Sequence, residues 1–120
     1  MPKYKMLVMS SPVDGREDDF NEWYQAQHLG DVTAVPGFVS AQRFKLAKVL
    51  SAHEALPYLS IYDIEAEDLE TAIKEMRGRA RTHIMPISDA LARGSFGVVY
   101  EEAGPIVRST EETGERRAAK

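Results

Sequence analysis

The hydrophobic positions of this chain fall into four short runs with a period near two and two longer runs with a helical period. Residues 3–11 (KYKMLVMSS) form an apolar run closed by Pro12, which predicts a first strand. Asp14-Gly15 is turn chemistry, and Glu17, Asp18 and Asp19 then load a helix first turn where the dipole favours acids. The first helix is predicted from Glu17 to His28, with a further turn possible. At ~100° per residue, Phe20, Trp23, Tyr24, Gln27, His28 and Asp31 share about a third of its circumference. Leu29, Val32 and Val35 move to another side, which points to a kink or extra turn after Gly30, and Pro36-Gly37 stops the helix.

Residues 37–46 read as strand two, with Phe38, Ser40, Gln42 and Phe44 on one face and Val39, Ala41, Arg43 and Lys45 on the other. Residues 47–56, which include His53, read as a loop or short helical turn. Residues 57–64 (PYLSIYDI) are strand three, with Tyr58, Ser60, Tyr62 and Ile64 alternating against Leu59, Ile61 and Asp63. Residues 67–77 are the second helix, buried along Leu69, Ile73 and Met76. A further short helix is expected within 83–91, restarting near Pro86. Residues 94–101 (GSFGVVYE) are strand four. The segment 104–120 reads as a polar C-terminal tail after a domain of residues 1–103.

The order β-α-β-β-α-β is that of an α+β, ferredoxin-like fold: a four-stranded antiparallel sheet with its helices on one face. Leu7 and Met9 oppose Met6 and Val8, and Phe96 and Val98 oppose Val99, so both sheet faces carry apolar residues. A second copy of the chain is the simplest cover for the helix-free face, and a homodimer is expected.

Composition narrows the function classes. One domain of 120 residues buries roughly two-thirds of its unfolded surface, enough for a core. The chain has no Cys, which removes disulfides, thiolate metal sites and thiol nucleophiles. A net charge of -4 argues against nucleic-acid binding. No apolar run approaches the ~20 residues of a bilayer span, so no membrane association and a cytoplasmic location are expected. The three His are far apart, with no zinc-type spacing, and the glycines form no phosphate loop. No metal and no cofactor are expected.

The candidate chemistry sits on the first helix. Tyr24 and His28 are four apart and Asp31 three further, a spacing that suits a general acid/base set: a carboxylate orients an imidazole beside a phenol. A second reading makes His28 a cation at the helix C-terminus and Asp31 the N-cap of the next turn. Trp23 and Phe20 fit either core packing or the wall of a pocket for a planar ring. Arg43 fits either a bidentate clamp on a substrate anion or an ion pair with a neighbouring acid. His83 could approach the same pocket from the second helix side, or be a surface residue.

The pattern Phe20, Trp23-Tyr24, His28-Leu29, Asp31, then Pro36-Gly37-Phe38 and Arg43-Phe44 resembles the EthD-like branch of the dimeric α+β barrel superfamily. One departure is Gly30, where many EthD-like chains carry Pro near the His. The resemblance implies a homodimer with one pocket per subunit between the first helix and the sheet, and it assigns the family's pocket His to His28. Family members include cyclases, dehydratases, cofactor-free monooxygenases and accessory proteins of degradation pathways. The function expected is a cofactor-independent lyase, cyclase or isomerase. His28, Tyr24 and Asp31 would act on a small aromatic or polyketide-like carbonyl compound held by Trp23, Phe20, Arg43 and His83. The alternatives are a non-catalytic small-molecule-binding accessory protein and a cofactor-free monooxygenase.

Overall fold

The computed structural model describes residues 1–51 and 54–110. His53 and residues 111–120 of the expected tail lie outside them. Four strands, β1 (Lys3–Ser10), β2 (Phe38–Lys45), β3 (Tyr58–Glu65) and β4 (Phe96–Glu101), form one antiparallel sheet in the order β2-β3-β1-β4. Between β1 and β2 runs one continuous helical segment in three parts. These are α1 (Glu17–Trp23), a π-helical turn (Tyr24–His28) and α2 (Leu29–Thr33). Helix α3 (Leu69–Arg79) joins β3 to β4. Both connections cross the same sheet face, which is the ferredoxin-like arrangement read from the element order.

Strand register divides the residues between the faces. Tyr4, Met6, Val8 and Ser10 of β1 stand opposite Ile64, Tyr62, Ser60 and Tyr58 of β3, and this set faces the helices. The core closes where it meets Phe20, Tyr24, Leu29 and Val32. The opposite face carries Leu7, Met9, Leu59 and Ile61, flanked by Phe44, Phe96, Val98 and Tyr100, and the last four are exposed. That is the two-sided apolar sheet read from the strand pattern.

Strand β2 departs from simple alternation. A bulge between Phe38 and Ser40 puts Phe38 opposite Ile64 and Ala41 opposite Tyr62, so Phe38, Ala41 and Arg43 share the helix face. The uninterrupted period of two, which grouped Phe38 with Ser40 and Phe44, fails here because a bulge inserts one residue into the alternation. Gly37, with φ of 97°, makes the turn into this strand in a backbone conformation that residues with a side chain rarely adopt.

Helix α3 begins at Leu69 and ends at Arg79, two residues later at each end than the apolar pattern suggested. Asp68 caps it by accepting from the Thr71 amide at 3.3 Å and from the Thr71 hydroxyl at 2.7 Å. No helix forms in 83–91. That segment instead crosses as an irregular strap. The Ala92 amide donates to the Ser11 carbonyl at 2.9 Å, the Val13 amide donates to the Ala90 carbonyl at 2.7 Å, and Met85 is fully buried. Arg16 ties the same strap to the start of α1 by bridging Asp19 at 3.0 Å and Asp89 at 2.9 Å.

Candidate functional site

A cavity of about 320 Å³ lies between the helical layer and the β1–β4 side of the sheet. Its walls are mostly aliphatic and thioether groups from β1, β4, α3 and the strap, such as Val8, Met76 and Met85. Its polar groups are few: the phenols of Tyr24 and Tyr62, the imidazole of His28, Ser95, and the guanidinium of Arg77 at the rim. An apolar concavity with a few convergent polar groups is the usual form of a small-molecule site. A second concavity of about 340 Å³, between Lys3, Lys5, Asp63, Glu65 and Tyr100, opens on the end of the sheet and holds none of these groups.

The π-helical turn sets the position of His28. Its backbone bond runs from the Leu29 amide to the Tyr24 carbonyl, five residues back. Residues five apart on a regular α-helix stand about 140° from one another. Here Trp23 and His28 are instead stacked, with ring centres 4.6 Å apart and planes 25° from parallel. Tyr24 meets the same imidazole edge-on at 5.0 Å. The Trp23 indole N–H donates to the Pro86 carbonyl at 3.2 Å, which fixes the stack against the strap. The helix continues past His28 to Thr33, so His28 does not sit at a helix C-terminus and Asp31 is not an N-cap. The change of side read at Leu29 arises from the extra residue in this turn, before Gly30 rather than after it.

Burial in this apolar setting lowers the His28 pKa to about 4, with the Asp31 charge pulling weakly the other way. The ring is therefore neutral at neutral pH. Its Nδ1 is buried without a hydrogen-bond partner among the described residues, and so is the Oδ2 of Asp31. Asp31 acts on His28 through its charge, not through an orienting hydrogen bond. Burial also raises the Tyr62 phenol well above the usual tyrosine range, and its neighbour Tyr24 adds to that. Tyr62 is thus a hydrogen-bond donor rather than an acid in this cavity.

The remaining predicted residues take other places. Phe20 is fully buried beneath the cavity, edge-on to Tyr24 at 5.5 Å and tilted against Tyr58 at 5.2 Å, and it belongs to the core. Arg43 lies behind Tyr24, with its guanidinium 4.9 Å from the Tyr24 ring, 5.1 Å from Tyr58 and 5.6 Å from Phe20. It donates to the Asn21 Oδ1 at 2.7 Å. Asn21 Nδ2 in turn donates to the Tyr58 hydroxyl at 3.2 Å, and that hydroxyl donates to Glu17. Neither expected role of Arg43 describes this: it forms an aromatic box with a hydrogen-bonded relay to an exposed acid. His83 is exposed and does not line the cavity; Met85 and Ile87 from the same segment do. Tyr62, Arg77 and Met85 are lining residues that the sequence left unassigned. The alternation in β3 grouped Tyr62 with Ser60 and Ile64, but which face they took depended on the register with β1. Among the described residues no group of three or more His, Cys, Asp or Glu could hold a metal ion, and no helix is long and apolar enough to cross a membrane.

The sequence matches no family model and no curated protein. Solved structures do match over most of the chain. An ethyl tert-butyl ether D (EthD) family protein from Bacillus halodurans has a TM-score of 0.56 at 14% identity, over 86% of this chain and 100% of its own. A proposed monooxygenase from Shewanella loihica PV-4 has a TM-score of 0.55 at 14% identity, over 91% and 99%. The heme-degrading MhuD of Mycobacterium tuberculosis, solved with two hemes in its active site, has a TM-score of 0.59 at 12% identity, over 87% and 99%. At such identities the likeness is one of fold. The chain therefore has a ferredoxin-like α+β fold, similar to those of an EthD family protein and of monooxygenase-type structures.

Proposed function

We propose that the cavity binds a small, largely apolar carbonyl or phenolic compound and that His28 removes a proton from it. The observation that carries this reading is a neutral imidazole, stacked on Trp23, on the wall of an otherwise apolar cavity. In the step envisaged, a C–H beside the carbonyl breaks, the electron pair stays on the substrate as an enolate, and the proton goes to His28. The enolate oxygen is stabilised by a hydrogen bond from the phenol of Tyr24 or Tyr62. The low basicity of His28 in the free cavity rises once an anion forms beside it, since an opposite charge in a dry site favours the imidazolium. Isomerisation, water loss or ring closure can follow from the same enolate, so the cofactor-free lyase, cyclase or isomerase reading is one family of outcomes.

Deuterium exchange tests the shared step. Incubation with 2-tetralone in heavy water, followed by proton NMR, is expected to show exchange next to the carbonyl above the buffer rate, with His28→Gln returning it to that rate. Exchange that persists in a folded His28→Gln protein would falsify the acid/base role. Ligand retention without any exchange in the wild type would favour the non-catalytic binder. A cofactor-free monooxygenase is the second reading, favoured by the descriptions of neighbours such as the Shewanella loihica protein. It starts from the same anion, and oxygen uptake with an electron-rich phenol distinguishes it. The exposed apolar face around Leu7, Met9, Leu59 and Ile61 supports a homodimer joined sheet to sheet.

A further inference from the structure

Arg77 stands apart from the rest of the cavity wall. It is an exposed residue in the last turn of α3, yet its side chain lines the cavity, so it marks the mouth. Among the described residues it is the one charged group that lines the cavity, since His28 is neutral and no Asp or Glu of that set does. Two residues on, Arg79 is engaged by Glu75 at 2.9 Å. Arg77 has no ion pair among the described residues. A cation in a helix last turn suits the dipole. The dipole, though, does not require that cation to face a cavity. Arg43 is held against the Tyr24 ring by its aromatic box and is not among the residues that line the cavity.

We infer that Arg77 makes this a site for monoanions: molecules with a planar or branched apolar body and one carboxylate or similar anionic group. The body fills the space against Met76, Met85 and Val8, and the anionic group remains at the mouth on the Arg77 guanidinium. The physical reason is an asymmetry of charge. An uncharged apolar interior rejects an ion, while a half-solvated guanidinium at its edge offers a planar, multi-donor partner for a carboxylate. The orientation follows, with the uncharged end of the molecule delivered to His28 and the charged end left outside. This inference rests on the cavity being a small-molecule site.

Matched probes decide it. Calorimetry at neutral pH compares 1-naphthoate with the neutral 1-naphthalenemethanol on the wild type, on Arg77→Gln and on Ala80→Phe, which narrows the mouth. The wild type is expected to hold naphthoate about tenfold tighter than the alcohol, the range of a hydrogen bond to a charged group. Arg77→Gln should erase that preference while leaving the alcohol's affinity as it was, and Ala80→Phe should weaken both. If the two probes bind equally, both weaken in Ala80→Phe and Arg77→Gln changes neither, the charge selection is wrong while the cavity reading stands. If neither binds, or if Ala80→Phe has no effect, the cavity reading fails and this inference with it. Loss of deuterium exchange alone would not touch it.

Discussion

His28 is worth more to the fold when neutral than when charged. Its folded pKa of about 4 lies below the ordinary value of 6.5, so the unfolded chain takes the proton first. The contribution of the neutral ring is complete above the unfolded value. It is lost as the pH falls from 6.5 to about 4, and no more is lost below that. The difference corresponds to roughly 3 kcal/mol at most. Carboxylates titrate in the same window, so the measurement is a difference between proteins. Urea midpoints taken between neutral and acid pH should fall less steeply in His28→Gln than in the wild type. Equal slopes would mean that the imidazole is not desolvated. Trp23 reports the same proton, because it is the only Trp of the chain and is stacked on the ring.

The π-helical turn is one residue inserted into a helix that would otherwise be regular. Buried Phe20 and Tyr24 are four apart, and buried Leu29 and Val32 are three apart, but the step from Tyr24 to Leu29 is five. Removing exposed Ala26 turns that step into four, the spacing that keeps both ends on one face of an α-helix. The deletion should therefore fold, with a melting temperature within several degrees of the wild type, a change of about 1 kcal/mol in a domain of this size. It should also leave Trp23 and His28 four apart, a spacing that keeps both rings on one helix face, so the response of Trp fluorescence to acid should persist. The same deletion at exposed Lys74 of α3 has no insertion to absorb it. It rotates Met76 away from Leu69 and Ile73 and should lower the melting temperature far more. Similar melting of the two deletions would contradict this account of the helix.

At the scale of the molecule, the open sheet face is the feature still lacking a partner. Val98, Phe96, Phe44 and Tyr100 stay exposed around an apolar centre, with Lys5 paired to Asp63 and Ser40 donating to Asp63 toward one end. Light scattering should give about twice the 13.4 kDa chain mass. Val98→Asp, half-exposed in the single chain and so compatible with its fold, should shift that mass to one chain by placing a charge in the contact. A wild-type monomer at micromolar concentration would remove the sheet-to-sheet dimer. A dimer unmoved by Val98→Asp would place the contact elsewhere.

The sequence alone determined the strand and helix order, the face division of β1 and β3, and the grouping of His28 with Trp23 and Tyr24 on the first helix. These follow from local periodicity, turn residues and one conspicuous aromatic helix face, all of which are written in neighbouring positions. Tertiary structure decided the rest. The bulge in β2 moved Phe38 and Arg43 onto one face, because register is settled by the partner strand and not by the strand itself. The π-helical turn stacked Trp23 on His28, since a helix adopts five-residue spacing only where packing at both ends demands it. Arg43 found aromatic rings in place of an acid, and Arg77 reached the cavity mouth, through contacts between residues far apart along the chain. Periodicity carries no information about which distant side chains meet, and the chemistry of this cavity is made of such meetings.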